Sequence, residues 1–181
     1  MDVRLSTKRL ILRRPTEADI PAVVAGFNDY EIVRYLTRVQ YPYTEADARA
    51  WLATRQPPRP TNAHFGIELP GEGMIGFVSL QSELGFWLAR HCHGRGLMTE
   101  ACTALLDWHF DALPDDIVQS GAHVGNTASL KVQQKLGFVE WPGTELRFAL
   151  SHGRDVPHIR TTLSRVDYEA AKSGLKSRSW M

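Results

Sequence analysis

The sequence predicts a single mixed α+β domain, a central, mostly antiparallel twisted sheet of about six to seven strands flanked by about four helices. Three observations predict it. A chain of 181 residues, 43% of them hydrophobic, is long enough to bury one core and short for two. Three strand-like runs follow one another through residues 64–89 with short turns between them, which makes an antiparallel meander. Before and after them stand segments whose apolar residues recur at helical spacing. The domain is expected over residues 1–168, with a polar, basic tail over 169–181.

Residues 9–14, RLILRR, pair branched aliphatic side chains with arginines and end at Pro15, a strand closed by a turn. Thr16 and Asp19 both suit a helix N-cap. Pro21 is tolerated only in a first turn, which places the helix start at Asp19 and its end near Asn28. YEIVRYL predicts a short helix. Thr44 caps a further one, with Asp47 in its first turn and Ala48, Trp51 and Leu52 on one side. PPRPTN, residues 57–62, is a surface loop, and HFGIEL, MIGFVSL and LGFWLA make the meander. From Gly96 onward Leu97, Ala101, Leu105 and Trp108 mark a long amphipathic helix that stops before Pro114. IVQSGAHV is the next strand. Asn126 caps a helix with the stripe Ala128, Val132 and Leu136 and the stop Gly137, and FVEW and HIRTTLSR are the final strands.

Lysine and arginine number 21 against 20 acidic residues, a formal net charge of +1, so no global field draws the chain to nucleic acid or an anionic membrane. Any anion site is local. Cys92 and Cys102 fit neither a disulfide framework nor a zinc-site spacing, which points to a reducing, cytoplasmic compartment. No segment nears the roughly 18 apolar residues of a membrane span, and neither a signal peptide nor an anchor is expected.

HGRGLMTEA, residues 93–101, supplies the local site. A strand, a tight glycine turn and a helix N-terminus gather unpaired backbone N–H groups at the positive end of a helix dipole, which suits a phosphate. A glycine pair before a helix also serves as a plain turn. The ending Gly-Leu-Met-Thr is not a Walker loop, and the three glycines of a dinucleotide fingerprint are absent.

About thirty residues on, the chain reads NTASLKVQQKLGF. GRGLMTEA and NTASLKVQQKLGF together resemble the acyl-CoA-binding core of the GNAT superfamily of N-acetyltransferases. LSTKRLILRR followed by Asp19, with LGFWLA entering the glycine turn, is similar to the Rim-like subgroup that acetylates N-termini of ribosomal proteins. The resemblance covers most of residues 5–165. It implies acetyl-CoA as cosubstrate and direct transfer, in a ternary complex, to a primary amine on a protein N-terminus or a small molecule. It also implies that the strands at about 84–89 and 117–123 splay apart to admit the pantetheine arm, with the pyrophosphate on the amides of Gly94 to Thr99. On the family pattern Q/R-x-x-G-x-G/A fall His93, Gly94, Arg95, Gly96, Leu97 and Met98; His93 replaces Gln/Arg, and Met98 replaces the last small residue and is expected to crowd the approach. Leu88 and Ala89 at the strand end, Thr99, Asn126 near the pantetheine and Ser129 near the thiol complete the implied cofactor contacts.

Acetyl transfer requires a neutral amine, a polarised thioester carbonyl and a proton for the leaving thiolate. A backbone N–H near Leu88 suits the carbonyl. Glu83, heading the LGFWLA strand where the superfamily often places a carboxylate, is the first candidate base, with Glu145 and His123 behind it. Gln133 stands where many GNAT enzymes carry an acid tyrosine, which leaves Ser129 as the candidate acid. Each also has a structural reading: Glu83 as a solvated strand end, Asn126 as a helix cap, Ser129 as a first-turn serine. HCH at 91–93 is not read as a metal site, because neighbours on an extended run point to opposite faces and no further ligand stands at suitable spacing. A catalytically silent CoA-binding sensor or regulatory module is the alternative, motivated by the departures at 93, 98 and 133. The acceptor site is expected from residues 28–55 and from the late loop with Arg154, Asp155 and His158, with Glu31, Glu45 and Asp47 as nearby acids. Exposed sheet edges leave room for a homodimer.

Overall fold

A computed structural model describes residues 3–174. β1 (Leu5–Ser6), β2 (Ile11–Arg13), β3 (Ala63–Leu69), β4 (Gly73–Leu80) and β5 (Leu84–Leu88) form one antiparallel sheet in chain order. β6 (Ile117–His123), β7 (Val139–Glu140), β8 (Glu145–Ala149) and β9 (Arg154–Ser164) form a second, with β9 pairing all three others. The mixed α+β class and the meander are as the sequence predicts, and the strands outnumber the expectation. β1 spans two residues, too few for a period-2 signal. β8 inverts the usual pattern: Leu146 and Phe148 are exposed, while Glu145 and Arg147 are half-buried, so its alternation signals the wrong face.

The helices are α1 (Ile20–Phe27), α2 (Tyr30–Val33), α3 (Glu45–Ala53), α4 (Leu97–Ala112), α5 (Thr127–Leu136) and α6 (Arg165–Lys172). Thr44 and Asp47 build the predicted capping box, and Gly137 ends α5 at φ +95°. Asp19 precedes α1 as expected, but its carboxylate accepts from Thr16 N and from both terminal nitrogens of Arg13, 2.8 Å each, instead of capping. α6 spans the expected domain end at residue 168: Tyr168 is buried and its hydroxyl donates to Asp107 Oδ1 on α4 at 2.8 Å. Of the expected tail, residues 175–181 lie outside the described residues.

The two faces of the first sheet carry separate apolar clusters. α4 covers one with Leu97, Ala101, Cys102, Leu105 and Phe110 against Phe65, Val78, Leu84 and Leu88. α1 and α3 cover the other, where Phe27, Phe77 and Trp87 meet. α4 then crosses over to set β6 beside β5. Those two strands have no ladder between them, and Ser120 Oγ bridges them by donating to Leu84 O at 2.8 Å.

Candidate functional site

The gap between β5 and β6 opens into a cleft of about 950 Å³. In an antiparallel ladder, alternate residues turn both N–H and C=O to the paired neighbour, and the residues between turn them away. Ala89 N donates to Ile75 O at 2.8 Å, so Leu84, Phe86 and Leu88 of β5 turn their peptide groups toward β6. Val124 N donates to Pro157 O at 2.9 Å, so Gln119, Gly121 and His123 of β6 turn theirs toward β5. Two rows of peptide groups therefore face each other across the gap. Gly121 O receives Gln133 Nε2 at 3.0 Å, and Leu88 O receives His93 Nε2 at 2.7 Å.

From Leu88 the chain runs through a 3-10 turn, Arg90–Cys92, into α4. Gly94 and Gly96 both sit at φ +74°, where a side chain would be strained. Gly96 is the N-cap of α4, and no side chain caps it. The first bond within the helix runs from Glu100 N to Gly96 O at 3.1 Å, which leaves the amides of Leu97, Met98 and Thr99 without helical partners. α3, α5 and α6 are all capped by side chains. The uncapped start of α4 borders the cleft.

Leu88, His93, Gly94, Gly96, Leu97, Met98, Thr99, Asn126, Ser129 and Glu83 all line the cleft. Ala89 and Arg95 do not. The Ala89 N–H is spent on β4, and the Arg95 guanidinium stands 3.5 Å from Glu72. The Met98 side chain is buried in the core and also lines the cleft. Glu72 also brings a carboxylate to His91 and Cys92, a grouping that sequence spacing hides, and Arg95 already supplies a cation there.

Asn126 accepts from Ser129 N at 3.2 Å, so it caps α5 and borders the cleft at once. Ser129 Oγ accepts from Gln133 Nε2 at 3.1 Å, which leaves its own proton free to donate. Gln133, 1% exposed, completes its bonds by accepting from Thr161 Oγ1 at 2.6 Å.

Glu83 is not a free carboxylate. Its oxygens meet both terminal nitrogens of Arg147 at 2.7 and 2.8 Å, and these bonds hold its pKa below the usual range. Arg147 also binds Glu145. His123 Nε2 contacts Thr37 Oγ1 at 3.2 Å, and burial pushes its pKa down. His158 is the residue whose position the sequence does not reveal. It is 5% exposed, lines the cleft, and neither ring nitrogen has a hydrogen-bond partner among the described residues. A Cβ on Gly121 would lie 2.4 Å from its Nε2, so the absence of a side chain there makes room for the ring. Burial, with the charges of Arg147 and His123, pushes its pKa down to about 4 and keeps the ring neutral at pH 7.

The two segments expected to shape the acceptor end do meet: Leu150 N donates to Thr37 O at 3.0 Å, and His152 Nε2 to Arg34 O at 2.7 Å. Glu31 lines this end. Glu45 pairs with Arg49, Asp47 caps α3, and Arg154 and Asp155 are exposed outside the cleft.

A model of the Acetyltransferase (GNAT) domain matches residues 9–139. A Bacillus subtilis protein named "Putative ribosomal N-acetyltransferase YdaF" is 36% identical over 63 residues, 35% of this chain and 34% of that protein, so the match spans about a third of that relative's length. The ribosomal-protein-S5-alanine acetyltransferase of Vibrio fischeri shares the fold with a TM-score of 0.74 at 21% identity, over 92% of this chain and 99% of that one. The spermidine N-acetyltransferase of Vibrio cholerae, solved with CoA and spermine, also gives 0.74, at 19% identity over 90% and 99%. An uncapped helix end beside two rows of peptides that no ladder joins, with a family match across most of the chain, leads to one conclusion: the protein belongs to the GNAT acetyltransferase family.

Proposed function

We propose that the protein moves an acetyl group from acetyl-CoA to a primary amine by direct transfer in a ternary complex. The observation that carries this reading is the convergence, on one cleft, of the uncapped N-terminus of α4 with the facing peptide rows of β5 and β6 that no ladder joins. Free amides at a helix start suit a diphosphate, and the two amides of a pantetheine arm suit strand peptides that lack a neighbour. Gly94 and Gly96 to Thr99 would hold the phosphates, and Asn126 and Ser129 would flank the arm.

In the reaction, the Leu88 N–H donates to the thioester carbonyl as charge builds on its oxygen. The amine nitrogen bonds to the acetyl carbon while the carbon–sulfur bond breaks. The Ser129 hydroxyl, oriented by Gln133, gives its proton to the leaving sulfur. His158, with its ring nitrogens unpartnered, takes the proton that the nitrogen sheds and passes it through solvent to Ser129, so neither group is left charged, a role for which the paired Glu83 is less suited. The product is an amide and a free thiol.

Arg147 neutralises Glu83, and Glu45 and Asp47 are engaged on α3, which supports a singly charged acceptor such as a protein N-terminus over a polyamine. No helix among the described residues is long and apolar enough to cross a membrane, and Cys92 and Cys102 are both free, in keeping with a cytoplasmic setting. The outer edge of β8 is consistent with a homodimer.

Calorimetric titration with acetyl-CoA, with ATP and phosphate as controls, tests the reading. Saturable binding of acetyl-CoA alone, lost in Gly96→Trp, followed by thiol release with peptide N-termini, is the expected result. Binding without turnover over peptides and polyamines would favour a silent CoA-binding module.

A further inference from the structure

The N-terminal LSTKRL segment, unused in the chemistry above, closes on the back of the phosphate-binding turn. Arg9 Nη1 donates to Arg95 O at 2.9 Å, Arg9 Nε to Glu100 Oε2 at 2.6 Å, and the Arg9 backbone N to Glu100 Oε1 at 2.9 Å. Thr7 Oγ1 donates to the same Glu100 Oε1 at 2.6 Å. Arg9 Nη2 stands 3.7 Å from where a Cβ on Gly96 would be. Six atoms of the β1–β2 hairpin and α4 are thus joined by four hydrogen bonds, one of which holds the carbonyl of the Arg95–Gly96 peptide bond.

A surface arginine–glutamate pair by itself contributes little to stability. What matters is what this one orients. A trans peptide holds its C=O and N–H on opposite sides, so fixing Arg95 O on the hairpin side turns the Gly96 N–H away from it, toward the cleft. Glu100 adds a second consideration. A carboxylate in the first turn favours the helix dipole but repels a diphosphate brought to the same helix end. Arg9 neutralises that charge while leaving the free amides of Leu97 to Thr99 untouched.

We propose that Thr7, Arg9 and Glu100 form a clasp that presets the phosphate-binding turn for CoA, with Arg9 as its positioning residue. The inference rests on the acetyl-CoA reading of the cleft. It makes the N-terminal hairpin part of the cofactor site without direct contact to the cofactor.

The test is calorimetric titration of CoA into wild type, Arg9→Gln, Arg9→Lys and the double variant Arg9→Gln with Glu100→Gln, each first melted to show that it folds. Amide hydrogen exchange over residues 96–99 is followed in parallel. Arg9→Gln is expected to bind CoA about tenfold more weakly and to exchange faster at these amides. Arg9→Lys keeps the charge but not the two-pronged geometry and recovers part of the loss, as does the double variant, which removes the stranded carboxylate. Unchanged CoA binding in a folded Arg9→Gln overturns the clasp alone. Weaker binding with unchanged exchange, fully restored by Arg9→Lys, overturns the positioning role in favour of charge. A wild type that does not bind CoA overturns the acetyltransferase reading and the clasp with it.

Discussion

Replacing Gln133 with leucine keeps most of the side-chain volume and removes three hydrogen bonds at once. Gln133 Nε2 donates to Gly121 O and Ser129 Oγ at 3.0 and 3.1 Å, and Oε1 accepts from Thr161 Oγ1 at 2.6 Å. Gln133 and Thr161 are 1% and 2% exposed, so water cannot replace the lost partners. An orphaned buried polar group costs about 1–3 kcal/mol, so Gly121 O and the Thr161 hydroxyl together cost roughly 2–6 kcal/mol. The added apolar burial of leucine returns about 1 kcal/mol, and the expected net loss is roughly 1–5 kcal/mol. Urea denaturation reads it as a lower midpoint at unchanged slope. The same change frees the Ser129 hydroxyl, so turnover is expected to fall while CoA affinity holds. A stability loss under about 1 kcal/mol would refute the claim that this network ties α5 to β6 and β9.

Two further predictions follow from burial. His158 and His64 have folded pKa values pushed down to about 4 from an ordinary 6.5, in both cases chiefly by burial. Between these values the unfolded chain binds more protons than the folded one, so stability rises with pH across that window and is lost as pH falls, by about 2 kcal/mol per residue at pH 5. Urea midpoints at pH 7 and pH 5 measure it, and His158→Gln should remove about half of the difference; identical midpoints in the wild type would contradict the burial argument. Gly26→Ala places a Cβ 2.3 Å from Trp87 Cζ3, inside contact distance. Overpacking of about 1–3 kcal/mol is expected to outweigh the roughly 1 kcal/mol that alanine adds to a helix, with a lower melting temperature and a shifted tryptophan emission; a higher melting temperature would show that the Trp87 ring moves aside freely.

The sequence by itself determined the elements whose signals are local. Thr44 with Asp47, Asn126 three residues before Ser129, Gly137 at the end of α5 and the glycines at 94 and 96 each act within one turn of chain. That is why the meander, the long helix and the glycine turn were legible, and with them most of the residues that line the cleft. Tertiary structure decided what depends on register and long-range contact. β8 carries its apolar side chains outward, so its pattern misleads about the buried face. Glu83 looks like a free strand-end carboxylate until Arg147, far along the chain, is folded against it. His158 reads as the end of a late loop and the head of a final strand, with no neighbour indicated, until β9 pairs with β6 and lays its ring over Gly121. Arg9 and Glu100, on a hairpin and a helix with most of a sheet between them in sequence, meet across the back of the glycine turn. Local patterns choose helix, strand and turn because a few neighbouring residues set their backbone dihedrals. Charge pairing and burial arise from groups that only the packed chain brings within a few ångströms.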